Sequence, residues 1–247
     1  MAGPQWVGIG AQRCGTTWFV DLLTQHPDVH LAVGAEDPGS DHEAAISNKE
    51  LHILDDLDSD IEQIRRRYDQ AFPDDGRIRG EFSPSYLRSP WAIDNARQVL
   101  DPSCVVFVLV RDPIDRFESS MGRRQLVAEW REMPAAERRL WETDAVWTGM
   151  YAPQIAAWRH ALPEHQFIVI DYAKLKANPQ ATIDQGWAAL GVDSVALTAT
   201  AAESVTSTPE RHRYEAPSVI RQTLQQLYRL SVDALAESEQ IDTSTWL

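Results

Sequence analysis

Apolar positions near the start of the chain follow a strand pattern first and a helix pattern afterwards. Residues 6–9 form a short apolar run, which is typical of a buried strand. Residues 10–15 carry a glycine at each end and read as a loop. From Thr16 onwards, apolar side chains recur at helical spacing until the pair His26-Pro27, which ends the pattern. The sequence therefore predicts a strand, a loop and a helix in that order.

Further apolar runs predict more strands of the same sheet. A short strand is expected at residues 78–81, a third apolar strand at residues 167–171, and residues 104–110 are uninterruptedly apolar, as in a parallel strand that is covered on both faces. Helical patterns separate these runs. The sequence thus predicts an α/β fold in which a central, mainly parallel sheet is flanked by helices, in a single domain that spans residues 1–247.

The remaining pattern predicts amphipathic helices and one long loop. Residues 60–72 and residues 217–237 read as helices with one apolar face each, whereas residues 28–48 show little periodicity and read as a loop. The positions expected to face the core are Ile61, Ile64, Tyr68 and Phe72 in the first helix and Ile220, Leu224 and Leu227 in the second.

The loop at residues 10–15 has the features of an anion-binding site. Its amides and the following helix N-terminus favour negative charge, and Arg13 adds a full positive charge. Gly10 and Gly15 have the spacing of the ATP-binding loop G-x-x-x-x-G-K-[ST], but Thr16 stands where the lysine is expected. A tight turn with a solvated arginine would explain the glycines, but not two threonines next to a cation. A phosphate is the expected occupant.

This loop resembles the 5′-phosphosulfate loop of the sulfotransferases that use 3′-phosphoadenosine 5′-phosphosulfate (PAPS). Their loop reads [K/R]-x-G-T-T and is followed by an apolar helix and a His-Pro pair, as in this chain. The resemblance implies a P-loop NTPase-like sulfotransferase fold and transfer of a sulfuryl group from PAPS to a hydroxyl, less readily an amine, of a small molecule. It assigns Arg13 a catalytic, charge-stabilising role and gives the donor these contacts: Arg13, Cys14, Gly15, Thr16, Thr17 and Trp18.

A second motif, RDPIDRFESS, follows the predicted strand at residues 104–110. Asp112 suits a helix N-cap and Pro113 the first helical position, which puts Arg111 at the carboxyl end of the strand, where α/β sheets bind ligands. The motif is similar to the 3′-phosphate signature of the same family, which implies that Arg111 and Ser119 bind that phosphate. A capped helix alone would not explain a second anion site at this edge of the sheet.

The polar segment at residues 204–215 is basic within an otherwise acidic protein. In sulfotransferases, a loop at this place closes over the 3′-phosphate with basic side chains. The resemblance therefore implies that Arg211 and Arg213 bind the donor.

Two segments offer a general base. The segment Lys49-Glu50-Leu51-His52 looks like the family's Lys-Glu-x-His segment, whose glutamate deprotonates the acceptor in related glycan sulfotransferases. The resemblance implies Glu50 as base with His52 beside it, whereas the bare pattern also fits a short edge strand. Glu81 lies in a Gly-Glu-x-[ST]-Pro-x-Tyr turn that the family shares, and it either acts as the base or anchors the turn by hydrogen bonds.

Composition limits the partners. The chain has 247 residues, 43% hydrophobic, with a net charge of −14, which argues against nucleic acids and acidic polymers and favours a neutral or cationic, partly apolar acceptor. Two cysteines make no disulfide framework, and no His/Cys cluster has metal-ligand spacing, so no metal site is expected. No apolar run is long enough to span a membrane and the start is not a signal peptide, which predicts a cytoplasmic protein.

Two other functions remain open at this stage. A nucleotide or small-molecule kinase with a degenerate ATP loop would use Asp112 to hold Mg²⁺, but it lacks the lysine after Gly15. A non-catalytic nucleotide-binding module would keep the loop without a base. The acceptor pocket is expected between residues 28–48 and 123–149, where Trp130, Trp141 and Trp147 either line it or pack in the core.

Overall fold

A computed structural model describes residues 3–33, 49–125, 130, 132–199 and 214–247. Strands and helices alternate along these residues, as predicted. The strands are β1 (Trp6–Gly10), β2 (Val29–Leu31), β3 (Ile78–Phe82), β4 (Val105–Val110) and β5 (Phe167–Asp171). The helices are α1 (Thr16–Leu23), α2 (Ile61–Ala71), α3 (Pro90–Val99), α4 (Pro113–Gln125), α5 (Ala135–Trp147), α6 (Tyr151–Ala161), α7 (Tyr172–Ala177), α8 (Pro179–Ala189) and α9 (Ser218–Glu239), with a 3₁₀ turn at Tyr86–Arg88.

The strands form one sheet in the order β2-β3-β1-β4-β5, and each neighbouring pair is parallel. β1 and β4 are buried along their whole length, which explains their uninterrupted apolar sequences. Because all strands run the same way, their carboxyl ends meet at one edge of the sheet. The chain turns to opposite sides of β1 when it builds β3 and β4, so this edge is a topological switch point, where α/β proteins bind ligands. The predicted α/β fold is confirmed.

The prediction of a loop throughout residues 28–48 is wrong at Val29–Leu31, which form the edge strand β2 and pair with β3. A strand of three residues has no detectable alternation, so its position is decided by the neighbouring strand. The other residues of that stretch are described only up to residue 33.

The apolar face of α9 differs from the predicted one. Leu224 is buried as expected, but Ile220 is 40% and Leu227 is 51% exposed. Tyr228 and Leu235 are buried instead. Tyr228 follows Leu224 by four residues, whereas Leu227 is rotated by about 100° from Tyr228 around the helix axis. The predicted buried face of α9 is therefore wrong, because hydrophobicity alone does not distinguish leucines that face the core from leucines that face solvent.

Helix α2 confirms three of the four predicted inward positions, whereas Ile61 in its first turn is only partly buried. Ile64, Tyr68 and Phe72 are buried. Asp60 begins the helix in a capping box, in which its carboxylate accepts the N–H of Gln63 at 2.8 Å and the Gln63 side chain accepts the N–H of Asp60 at 2.7 Å. This helix places Tyr68 under the carboxyl edge of β3.

Candidate active site

The loop after β1 presents backbone N–H groups at the carboxyl edge of the sheet. Gly15 ends this loop with a φ of 82°, and α1 begins directly after it. A Cβ atom on residue 15 would lie 2.7 Å from the ring of Tyr172, so the site requires glycine both for its conformation and for space. The first N–H groups of a helix have no intrahelical acceptor, so those of Thr16 and Thr17 point towards an approaching anion.

The second motif lies beside this loop. β4 pairs with β1 and ends at the same edge, so Arg111 follows directly from the sheet. Ser119 lies on α4, and Nε of Arg13 donates a hydrogen bond to its Oγ at 3.2 Å. The side chains of the two predicted phosphate sites are therefore in direct contact.

Asp112 holds the N-terminus of α4 in place. Its Oδ1 accepts the N–H groups of Ile114 at 2.8 Å and Asp115 at 3.1 Å, as expected of an N-cap. Its Oδ2 accepts the N–H of Leu247 at 3.0 Å. Both carboxylate oxygens are thus used to fix backbone groups.

Arg111 is oriented by its neighbours rather than neutralised. Its guanidinium lies 5.1 Å from the centre of the Tyr172 ring, and Nη2 is 3.4 Å from a carboxylate oxygen of Asp115. The second of these contacts is long for a hydrogen bond. The planar donor group of Arg111 is held over the ring and keeps hydrogen-bonding capacity for a phosphate.

Positive charge accumulates around Arg13. Desolvation in the loop lowers the pKa of Arg13, and the charges of Arg123, Arg111 and Arg116 lower it further. The charge of Cys14 acts in the opposite direction, but the net effect is a lowered pKa. Arginine stays protonated under such conditions, so the cluster is a ready site for an anion.

The burial of Cys14 and Trp18 leaves their backbone groups, rather than their side chains, for a ligand. Both side chains are buried. Burial raises the pKa of the Cys14 thiol to about 11, and its Sγ lies 3.7 Å from the hydroxyl of Tyr151. A reactive thiol is therefore not expected at Cys14.

Glu81 is fully buried at the end of β3 and accepts four hydrogen bonds. Tyr68 and Tyr86 donate their hydroxyls to Oε1 at 2.9 and 2.7 Å, and Ser83 donates its hydroxyl to Oε2 at 2.7 Å. The fourth donor is the N–H of Leu51, at 3.2 Å from Oε2. Burial raises the pKa of Glu81, while these hydrogen bonds lower it. Its geometry is that of an anchor whose lone pairs are occupied.

The segment at residues 49–55, called here the strap, is held by the turn that follows β3. Besides the bond from Leu51 to Glu81, the N–H of His52 donates to Ser83 Oγ at 3.1 Å. The hydroxyl of Tyr86 accepts the N–H groups of residues 53 and 54 at 2.9 and 3.2 Å. Because side chains bind these backbone groups, the strap is not the edge strand that its sequence also permits.

Glu50 lies on the strap between two cationic groups. Lys49 Nζ donates to its Oε1 at 2.7 Å, and Nε2 of His52 is 3.4 Å from its Oε2. Burial acts to raise the pKa of Glu50, but the hydrogen bonds and charges of His52 and Lys49 outweigh it, so the pKa is lowered. The side chain remains 21% exposed, so Glu50, unlike Glu81, is open to a reactant.

His52 is held between Glu50 and Asp55. Its Nδ1 lies 3.3 Å from Asp55 and 3.1 Å from the hydroxyl of Ser85, which in turn donates to Asp55 at 2.5 Å. The hydrogen bonds with Asp55 and with Glu50 raise the pKa of His52 to about 10. The imidazole is therefore a cation at neutral pH.

We expect the ring of His52 to stay protonated from about pH 6 to 8 and to titrate near 10. Because this pKa exceeds the ordinary value of 6.5, the ion pairs stabilise the fold fully below pH 6.5, and that contribution is lost as the pH rises through about 10. Histidine ring NMR signals, assigned with His52→Gln, measure the titration. Asp55→Asn should bring the pKa down, since the Asp55 hydrogen bond is the largest cause. A ring that titrates near 6.5 in the unaltered protein would contradict this assignment.

The structure thus groups the predicted residues in two places at one sheet edge. Arg13 contacts Ser119 on one side, and Glu50 and His52 contact each other on the strap, which Glu81 anchors. Lys49 was missed as a partner of Glu50, although it is adjacent in sequence, and so was Asp55. Arg211 and Arg213 lie outside the described residues.

A sequence profile of the Sulfotransferase family matches residues 4–196. Among curated proteins, none matches the chain in sequence. Solved structures with a similar fold include a sulfotransferase from Alicyclobacillus acidocaldarius, with a TM-score of 0.67 and 22% identity over 100% of this chain and 99% of that chain. The sulfotransferase domain from the curacin biosynthetic pathway has a TM-score of 0.59 and 14% identity, over 93% of this chain and 97% of that chain.

Mouse sulfotransferase SULT7A1, complexed with PAP, is similar with a TM-score of 0.50 and 14% identity over 96% of this chain and 85% of that chain. At these identities the structural likeness concerns the fold. None of the described helices combines the length and the apolar character that a membrane span requires.

Proposed function

Because the chain belongs to the sulfotransferase family, we propose that it moves a sulfuryl group from PAPS to a hydroxyl, less readily an amine, of a small-molecule acceptor. The observation that carries this proposal is the hydrogen bond from Arg13 to Ser119, which joins two anion sites at 3.2 Å. PAPS carries a phosphate at the 3′ position and a phosphosulfate at the 5′ position of one adenosine. Two adjacent anion sites match this pair of groups, and a relative of the same fold has been solved with PAP.

The residues on the donor side fit these groups chemically. Arg13 and the amides of Gly15, Thr16 and Thr17 surround the place of the 5′-phosphosulfate. Arg111 offers a planar pair of donors for the 3′-phosphate. The hydroxyl of Ser119 accepts from Arg13 and keeps its own hydrogen to donate.

In the proposed step, the acceptor oxygen forms a bond to sulfur as the bond from sulfur to the 5′-phosphate oxygen breaks. The products are a sulfate ester, adenosine 3′,5′-bisphosphate and one proton. Arg13 and the loop amides stabilise the charge that builds on the leaving phosphate, and since arginine stays protonated, its role is electrostatic. Positioning and charge stabilisation account for most of the catalysis, as in phosphoryl transfer.

We propose that Glu50 accepts the proton of the acceptor hydroxyl. Glu81 accepts four hydrogen bonds in a fully buried place, and His52 is a cation at neutral pH, whereas Glu50 is ionised and partly exposed. A lowered pKa makes Glu50 a weak base, so the proton leaves late, when the new bond to sulfur has acidified the hydroxyl. His52 assists by fixing the carboxylate of Glu50.

A kinase is the main competing function, and Asp112 argues against it. A kinase of this loop type needs a carboxylate that holds Mg²⁺. Asp112 instead uses Oδ1 for the N–H groups of α4 and Oδ2 for the N–H of Leu247. A non-catalytic nucleotide-binding module would not need a partly exposed, ionised carboxylate such as Glu50, which the strap holds in place.

Thermal unfolding with nucleotides tests the donor assignment. Adenosine 3′,5′-bisphosphate at about 100 times its Kd should stabilise the protein by about 2.7 kcal/mol and raise the Tm by roughly 5–10 °C. Mg-ATP at the same concentration should shift the Tm much less, and Ser119→Ala should reduce the effect of the bisphosphate. A larger shift with Mg-ATP would support a kinase, and no shift with either nucleotide would contradict both. Release of bisphosphate from PAPS in the presence of acceptors separates an enzyme from a binding module.

Other properties follow as proposals. We propose that residues 1–247 form one domain, since the described core residues from Trp6 to Trp246 make one cluster. Both cysteines are free thiols, which supports a reducing compartment such as the cytoplasm. The net charge of −14 favours a neutral or cationic acceptor with an apolar part. The arginines close to the loop are positive, however, and they act on an acceptor at shorter range than the negative net charge of the whole chain.

A further inference from the structure

A pocket opens beside the loop, and none of its lining residues is assigned to the donor. Its volume is about 370 Å³, which is in the range of small-molecule sites. Gln12, the residue before Arg13, forms one part of the wall. The other lining residues come from the 3₁₀ turn, from the last turn of α4 and from α5: Arg88, Arg124, Leu140, Trp141 and Asp144.

The charges of this pocket are unbalanced in favour of cations. Asp144 is the carboxylate in the lining, and it accepts from Nε of Arg88 at 2.7 Å and from Nη2 of Arg124 at 2.7 Å. Two guanidinium groups thus share one carboxylate. Buried Arg116 donates to the carbonyl of Ala145, next to Asp144, and adds a further positive charge behind the wall.

One donor of the lining residue Arg88 lacks an acceptor. Nη1 of Arg88 is buried, and it has no hydrogen-bond partner among the residues that the structure describes. Leaving a buried charged donor unpaired is costly, more so than for a neutral group. An anion beside the exposed part of the Arg88 guanidinium offsets that cost electrostatically.

Part of the lining is flat and apolar. The guanidinium of Arg124 lies 5.4 Å from the centre of the Trp141 ring and holds the indole in place. It also donates a hydrogen bond to the backbone carbonyl of Trp141. Trp130 packs against Trp141 at 6.1 Å between ring centres. Leu140 is 69% exposed and borders the opening. Such a wall favours a flat body over a flexible polar one.

We propose that this pocket, the cationic pocket, binds the acceptor through a carboxylate carried on a flat apolar body. The guanidinium groups of Arg88 and Arg124 attract the carboxylate, and Trp141 packs against the body. The hydroxyl that receives the sulfuryl group then lies towards Gln12 and the loop. This inference rests on the proposed sulfuryl transfer. It replaces the neutral or cationic acceptor expected from the net charge of the protein with an anionic acceptor, because the charged groups nearest the pocket are cationic.

Calorimetric titration of three phenols of nearly equal size tests the proposal. The probes are 3-(4-hydroxyphenyl)propanoate, its primary amide and tyramine, each titrated with and without adenosine 3′,5′-bisphosphate. The carboxylate should bind at least about tenfold more tightly than the amide, since hydrogen bonds to charged groups are the strong ones, and tyramine should bind most weakly. Equal Kd values for the three probes would overturn the proposal.

Variants identify the group responsible. Arg88→Met should weaken binding of the carboxylate about 10- to 100-fold and leave the amide unchanged. Arg97→Met is the matched control, because Arg97 pairs with Asp94 on the exposed side of α3 and should change neither. Leu140→Glu adds a negative charge at an exposed position that cannot disturb folding, so it tests the pocket even if Arg88→Met unfolds. It should reverse the preference towards tyramine.

The two proposals fail separately. A carboxylate preference that depends on Arg88, in a protein that does not bind the bisphosphate, would refute the donor assignment and leave the specificity of the pocket intact. Bound bisphosphate together with equal Kd values for the probes, or an Arg88→Met variant that weakens amide and carboxylate alike, would overturn the cationic pocket alone.

Discussion

Replacing Arg13 by alanine is expected to lower kcat by about 10²–10³-fold. The guanidinium is the full charge in the loop that follows β1, and further arginines, Arg123, Arg111 and Arg116, add positive charge around it. Its removal takes away charge stabilisation on the leaving phosphate. Arg13→Lys should keep much of the activity, because a cation remains within the loop. Initial rates of bisphosphate release from PAPS, with an acceptor that the unaltered protein uses, measure both effects.

The loss must be separated from general damage. Arg97→Ala removes an exposed arginine that pairs with Asp94 at 3.1 Å, and it should leave both the rate and the Tm unchanged. Removal of Arg13 relieves the repulsion that Arg123 and Arg111 exert on it, so Arg13→Ala should unfold at nearly the same temperature as the unaltered protein. Turnover of Arg13→Ala at the unaltered rate would refute the role of Arg13.

Glu81→Gln is expected to lower the free energy of unfolding by about 2–4 kcal/mol. The carboxylate accepts from Tyr68, Tyr86, Ser83 and the N–H of Leu51, and an amide group would turn its own hydrogens towards some of these donors. Because one of these bonds fixes the strap, turnover should fall as well. Urea unfolding monitored by circular dichroism measures the stability.

Glu50→Gln should have a small effect on stability and a large effect on the reaction rate. The amide oxygen can still accept from Lys49, and the side chain is partly exposed, so the loss of stability should be the smaller one. Single-turnover rates should fall by about 10²–10⁴-fold, since the proton acceptor is lost. An unaffected rate would exclude Glu50 as the base. A stable but inactive Glu81→Gln would instead assign that role to Glu81.

The sequence predicts that the loop after β1 and the RDPIDRFESS motif lie side by side, because the signals of each are local. Gly15 and Arg13 lie within one loop, and Arg111 and Ser119 lie within ten consecutive residues that begin at a strand end. Parallel strands then bring the two motifs together, since their carboxyl ends must share an edge. No further information is needed to expect two neighbouring anion sites.

The acceptor side follows from contacts that leave no local pattern. The bond between Leu51 and Glu81 joins positions 30 residues apart, from a backbone N–H to a side chain. Hydrophobic periodicity cannot report such a bond, so both a strand and a base-carrying segment fitted the strap. Likewise, Asp144 and Arg88 meet only because α5 packs beside the 3₁₀ turn. Short β2 and the buried stripe of α9 were likewise decided by neighbours, not by their own residues.

The contact between Arg13 and Ser119 also bears on how a catalytic cycle ends. In the proposed reaction, both side chains bind phosphates, and the spent nucleotide retains these phosphates after the sulfuryl group has gone. The protein therefore holds its co-product by the same groups that captured the fresh donor. Because the same residues bind donor and co-product, we expect the co-product to inhibit competitively with PAPS and its release to limit turnover.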